Sequence, residues 1–123
     1  INFLEKNEKL NKSFAHDKPS SSRKECELMY EVRGKSDHYA FVEVLPKTGR
    51  HHQIRATMAQ LGCPIKGDVK YGSRRTNDNA SIHLHARRID FIHPVKRKTV
   101  SILAPPPDDV LWDAFVTIDR GLR

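Results

Sequence analysis

The stretch TGRHHQIR at residues 48–55 crowds Arg50, His51, His52, Gln53 and Arg55 together. Three chemistries use so many hydrogen-bond donors at close quarters: a metal site with imidazole ligands, a surface that grips phosphates, and the wall of an enzyme pocket. A metal set is hard to complete. His83 and His85 stand at i and i+2, so in a strand both would point the same way, but no third ligand follows at a matching spacing. His51 and His52 would diverge by about 100° on a helix. Histidines bonded to backbone or phosphate are therefore the favoured reading, and no metal is expected. Hydrolytic chemistry finds no support either: there is no G-x-S-x-G, no glycine-rich phosphate loop and no H-E-x-x-H.

Phosphate binding fares better. Lys and Arg outnumber Asp and Glu by 22 to 15, giving a net charge of +7 and an isoelectric point near 9.7. A surplus of that size suits a polyanion, because each phosphate neutralised releases a counterion. Taken singly, Arg74-Arg75, Arg87-Arg88 and Lys96-Arg97-Lys98 read as solvated turns. Taken together with Lys66 and Lys70, they place cations on loops around one end of a sheet, which suits a surface that tracks an RNA or DNA backbone. Tyr71, in KYG, is a stacking candidate among the basic loop residues and equally a packing residue.

The elements that must position these groups follow from pattern. With 123 residues the chain is long enough for one domain. Residues 1–25, polar and broken by Pro19 and three serines, read as an arm and surface loop anchored by Phe3, Leu4 and Phe14. CELMYEV alternates as a half-buried strand, RGKSDH turns, and YAFVEVL returns as a more central strand, apolar on both faces except at Glu43. A helix is predicted over RHHQIRATMAQLG, with Ile54, Met58 and Leu61 as its apolar stripe, Gly62 as its stop and Arg55 half-buried at the stripe's edge. Residues 63–81 form a long loop. IHLHARRIDFIHP reads as a strand whose apolar phase changes midway, the mark of a bulge. TVSIL returns, and PPPDDVLWDAF opens a closing helix capped by Asp108 or Asp109, with Leu111, Trp112 and Phe115 packing. The predicted class is α+β, mainly an antiparallel sheet with a few flanking helices. Cys26 and Cys63 read as reduced thiols, and no run reaches membrane-spanning length, so a cytoplasmic protein is expected.

Three stretches carry a resemblance. LPKTGRHHQIR, LGCPIKGDVKYG and IHLHARRIDFIHPVKRKTVSILAPPP, in that order, resemble the C-terminal half of the RluA-like RNA pseudouridine synthases, over residues 26–115. That family shows T-G-R-x-H-Q-I-R, L-G-x-P-I-x-G-D-x-x-Y-G and L-H-A-x-x-L-x-F-x-H-P segments. The resemblance implies half of a pseudouridine synthase fold, with residues 26–123 as the C-terminal part of its catalytic domain. It also implies isomerisation of uridine to pseudouridine in rRNA or tRNA, without metal or organic cofactor, on a nucleotide taken out of its stack. Arg55 matches the arginine that pairs with the catalytic Asp, and Leu84 the aliphatic residue packed on the uracil. Arg50, His52 and Gln53 match positions that are structural or RNA-facing, and Lys66, Lys70, Arg74 and Arg75 complete the expected RNA contacts.

One departure is serious. The family's H-R-L-D segment with its catalytic Asp, and its Tyr, lie upstream of every motif seen here. RRID, ending at Asp90, belongs to the L-H-A strand at a non-catalytic position. The absence of an initiator Met fits a fragment. The expectation is thus a piece of a synthase, inactive alone and partnered by its missing half, or else an RNA-binding module derived from that fold. An opened sheet edge would favour self-association.

Overall fold

The computed structural model describes residues 1–36, 38–77 and 79–122. These form two compact units, Ile1–His83 and Leu84–Arg123. The class is α+β: two α-helices and seven strands in three small antiparallel sheets.

The first unit opens with a sheet where an extended, weakly structured arm and surface loop was expected. Strands β1 (Asn2–Asn7), β2 (Lys12–His16) and β3 (Lys24–Cys26) make one sheet in the order β2-β1-β3. The hairpin turns at 8–11, with Asn11 left-handed at φ 47° and the Asn7 side chain accepting from the Leu10 N–H. The arm reading failed because the inward residues are Asn2, Leu4, Ser13 and Cys26. Half of them are polar, so no hydrophobic alternation marks the strands. Asn2 satisfies itself inside: its Nδ2 donates to Thr57 Oγ1 at 3.1 Å and Gln60 Oε1 at 2.9 Å, and it also bonds the buried Cys26 thiol.

Strands β4 (Leu28–Lys35) and β5 (Ala40–Pro46) form the predicted hairpin, bulged between Val32 and Gly34. Neither strand is central. The pair stands alone as a two-stranded sheet, with Met29, Tyr30, Val32 and Leu45 about half exposed. Helix α1 runs from Gln53 to Gln60, starting later than predicted because His52 is left-handed at φ 51°. Its stop is as expected: Gly62 at φ 79° lets Cys63 N–H reach Met58 O and Gly62 N–H reach Ala59 O, the paired closing bonds of a Schellman end. Its buried face keeps Met58 of the predicted stripe but not Leu61. Gln53, Ala56, Thr57 and Met58 are buried, whereas Leu61 is 47% exposed. Polar residues face inward because they find partners there, Thr57 at Asn2 and Gln53 at Thr48, Arg50 N–H and Glu27 O. Leu4, Cys26, Ala56 and Tyr71 form the core. Tyr71 comes from a short 3₁₀ turn, Val69–Tyr71, inside the expected loop.

In the second unit, β6 (Arg88–Ile92) pairs with β7 (Thr99–Leu103) in unbroken register. The strand therefore begins at Arg88, not Ile82, and it carries no bulge. The change of apolar phase marks its start. Helix α2 (Val110–Leu122) is capped by Asp109, whose Oδ2 accepts from Leu111 N–H at 3.0 Å and Trp112 N–H at 3.1 Å. Phe115 is buried and meets Trp112 edge-on.

Gly67, at φ 86°, shows why glycine is needed in the loop of the first unit. A Cβ there would lie 2.4 Å from Asn77 Nδ2 and 2.6 Å from Ser81 O. Gly67→Ala is expected to lower stability by about 1–3 kcal/mol, combining left-handed strain with the backbone clash. Urea unfolding of the two proteins measures the difference.

Candidate functional site

Arg55 finds a carboxylate inside its own unit. Its Nε–H donates to Asp68 Oδ2 at 2.9 Å and its NH2 group to Asp68 Oδ1 at 2.7 Å, a two-bond fork. Asp68 is 1% exposed and the Arg55 side chain 21%. The expected half-burial at the helix edge holds; beside the expected Asp from outside the chain, the structure gives Arg55 a partner that was not expected, Asp68.

Two further groups fix the guanidinium. The Tyr71 ring lies beneath it, with the centroid 4.8 Å from Cζ. His52 Nε2 lies 3.2 Å from the NH1 nitrogen, and His52 Nδ1 lies 2.7 Å from Tyr71 Oη. An arginine only donates, so His52 Nε2 must accept, and the ring is neutral with its hydrogen on Nδ1. Nδ1–H then donates to Tyr71 Oη, which also accepts from the Ser13 N–H at 2.9 Å. Burial and then the Arg55 charge hold His52 below the ordinary histidine range, consistent with that neutral form. Burial raises the Tyr71 hydroxyl, so it too stays neutral. The hydrogen bonds to Asp68 raise Arg55 further.

His51 stacks on His52 with centroids 3.8 Å apart and serves the β2 strand. Ser13 Oγ–H donates to His51 O at 2.7 Å, so the contact with His51 Nδ1 at 2.9 Å must run from the ring. Gln53 is 4% exposed and wholly occupied: its Oε1 accepts from Thr48 Oγ–H and Arg50 N–H, and its Nε2 donates to Glu27 O. Of the two readings of Gln53, its surroundings fit the structural one. Arg50 is exposed and bonds Glu25 O through Nε.

The other expected residues take part in none of these bonds. Lys66 bonds Asn77 Oδ1 and sits 5.6 Å from the Tyr39 ring centroid. Lys70, Arg74 and Arg75 are exposed on the loop. Leu84 is the first residue of the second unit and is exposed. Asp90 is a surface residue paired with Arg88 at 3.0 Å. His83 and His85 do not share a strand, since β6 starts beyond both. His83 N–H donates to Lys66 O, and the His85 ring bonds Ala104 O. Among the described residues no group of three or more His, Cys, Asp or Glu could hold a metal. A cavity of about 320 Å³ lined by Asn2, Cys26, Tyr30, Thr57 and Gln60 includes none of the Arg55 cluster.

Pattern alone missed Asp68 and gave Tyr71 only an even chance of packing. Their signal was the G-D-x-x-Y-G spacing itself, which puts Asp68 three residues before a ring able to lie under the same cation.

Comparison with known proteins agrees with this part of the chain. Residues 2–60 match the family model described as RNA pseudouridylate synthase. The match begins at residue 2, so it takes in the β1–β2 hairpin that the motifs did not reach. The chain is 40% identical over 81 residues to an uncharacterized RNA pseudouridine synthase, YlyB, of Bacillus subtilis, covering 66% of this chain and 27% of that protein. It is 42% identical over 73 residues to tRNA pseudouridine synthase C of Salmonella typhi, covering 54% and 28%. It is 36% identical over 83 residues to ribosomal large subunit pseudouridine synthase D of Neisseria meningitidis, covering 58% and 22%. The resemblance to the pseudouridine synthase family is thus shown over part of the chain, which spans about a third or less of these relatives. No solved structure matches.

Removing Arg55 leaves a buried carboxylate unpaired, whereas removing the Asp68 charge leaves an arginine that can still reach water. Arg55→Met is therefore expected to cost about 3–5 kcal/mol and Asp68→Asn clearly less. Chemical denaturation ranks them, and equal losses would contradict the asymmetry. The depressed His52 supplies a pH dependence. Its stabilising contribution is full above the unfolded value of 6.5 and is lost as pH falls through the lower folded value. Melting temperature should fall between pH 7 and 5, and less steeply in His52→Asn, which tolerates the left-handed backbone and cannot titrate.

Proposed function

We propose that the chain is part of an RNA pseudouridine synthase, acting on uridines of rRNA or tRNA. The observation that carries this reading is the guanidinium of Arg55, held on three sides with one fork left open. Of its five N–H bonds, two go to Asp68 and one to His52. The remaining two, one on each terminal nitrogen, have no acceptor among the described residues, and as an end-on pair they would suit a second carboxylate or a phosphate.

In the proposed reaction the C1′–N1 bond of the uridine breaks, the uracil turns, and C1′ rejoins at C5 while the C5 proton leaves for N1. The sum is an isomerisation, with no metal or organic cofactor required. Arg55 would hold the catalytic carboxylate in its open fork, and Leu84 would pack on the uracil. Arg50, His52, Lys66, Lys70, Arg74 and Arg75 would face RNA. Asp68 is no substitute for the catalytic group, because it is 1% exposed and both its oxygens are held. The chain by itself is therefore proposed to be inactive and to work with a segment that carries the H-R-L-D aspartate. The half-exposed apolar residues of β4 and β5 favour cover by such a segment or self-association. No helix among the described residues is long and apolar enough to cross a membrane; a cytoplasmic location is part of the proposal.

The second reading, an RNA-binding module without chemistry, is favoured by that same burial of Asp68. The test is pseudouridine formation on total RNA by the 123-residue chain, with binding to the same RNA recorded in parallel. Binding without modification is expected. Restoration of modification when a segment bearing H-R-L-D is added separates the synthase from the module. Modification by the chain alone would overturn the inactivity, and loss of neither binding nor restored activity in Arg55→Met would overturn the role of Arg55.

A further inference from the structure

The β1–β2 hairpin brings a lysine to the candidate site that no motif contains. Lys12 Nζ stands 5.1 Å from the centroid of Tyr71, the ring that also underlies Arg55. It stands 5.2 Å from the centroid of Phe14, two residues along the same strand. Lys12 has no carboxylate partner among the described residues, so two aromatic faces hold its ammonium and its charge is not neutralised locally. An ammonium on an aromatic face keeps donors free on its outer side.

Phe14 adds a second feature. It lies on the outer face of β2, with Ser13 buried beside it, and is 38% exposed despite its size. Its ring is therefore partly open next to an unneutralised ammonium. A ring that can stack on a base, beside a cation that can meet the adjoining phosphate, is the pairing that binds single-stranded nucleic acid without reading its sequence. Lys70 on the 3₁₀ turn and Lys6 on β1 act on the neighbouring His51 as nearby positive charges, so the surroundings are cationic, with Glu8 as the opposing charge.

We infer that Lys12 and Phe14 form a single-strand RNA contact on the β1–β2 hairpin, continuous through Tyr71 with Arg55. Lys12 takes a backbone phosphate and Phe14 stacks on a base. The inference rests on the RNA reading of the chain, and it adds a surface outside the three motif stretches.

The experiment measures affinity of the full chain for a single-stranded oligouridylate of about a dozen nucleotides across a salt series. Lys12→Gln should flatten the dependence of log K on log salt by about 0.7, the share of one phosphate on a single strand. Lys12→Arg should restore the slope, which a role confined to supporting the hairpin would not require. Phe14→Ala should weaken binding by about five-fold or more while leaving the slope unchanged. Because Phe14→Ala could loosen the hairpin, Phe14→Tyr is measured beside it and should keep full affinity. If the parent binds and the Lys12→Gln slope equals the parental one, this contact is overturned while the RNA reading stands. Failure of the parent itself to bind would overturn both.

Discussion

The first unit depends on how an arginine and an aspartate are removed from water together. Asp68 is as buried as the core thiol of Cys26, and an ionised carboxylate in that position is tolerable only with its partner attached. The pairing fixes more than itself. Asp68 also begins the 3₁₀ turn, accepting from Tyr71 N–H at 3.1 Å and Ser73 N–H at 3.0 Å, so the residue that holds Arg55 also places the ring beneath it. Tyr71 in turn joins Leu4, Cys26 and Ala56 in the core and receives the Ser13 N–H from β2. Helix, loop and hairpin therefore meet at one ion pair, and none of the three has a large apolar core of its own.

This arrangement explains which parts were legible in the sequence. The β4–β5 hairpin and the Asp-capped closing helix show in pattern because their signals are local: alternation, a turn, a capping side chain ahead of apolar residues. The glycine stop of α1 shows for the same reason. The buried face of α1 does not, since Gln53 and Thr57 face inward to meet Glu27 and Asn2, and hydrophobic periodicity is blind to a hydrogen-bonded interior. The β1–β2 hairpin is hidden likewise, behind Asn2 and Ser13. A phase change at 82–91 suggested a bulge, but a strand that simply starts later gives the same letters.

The site itself was half legible. Donor density in TGRHHQIR identifies Arg55 as a group that needs a partner, and its helical position makes it half-buried. That the partner is Asp68 cannot be read from pattern, because an aspartate in a turn-rich loop is ordinarily a solvated turn residue. Its burial follows from Gly67, whose left-handed backbone and missing Cβ let the loop pass against Asn77 and Ser81. His52 carries a similar hidden constraint. A histidine at φ 51° is strained, and it is kept there by bonds from both ring nitrogens.

Charge balance then limits what the open fork of Arg55 can do. With Asp68 attached, the pair is nearly neutral at a distance, so it exerts little long-range pull on an approaching anion. At close range the two N–H bonds that have no acceptor among the described residues can still attract an acid group. The pair therefore selects geometry more than it gathers charge. Attraction from a distance must come from cations without partners, and Lys12 and Lys70 are the ones that flank it. Under the proposed RNA reading, a nearly neutral pair beside unpaired cations would separate two tasks. The lysines would draw in an RNA backbone, and Arg55 would orient a single acid group. Asp68 occupies the Nε edge of the guanidinium, so any further acid group must meet the donors that remain on the two terminal nitrogens.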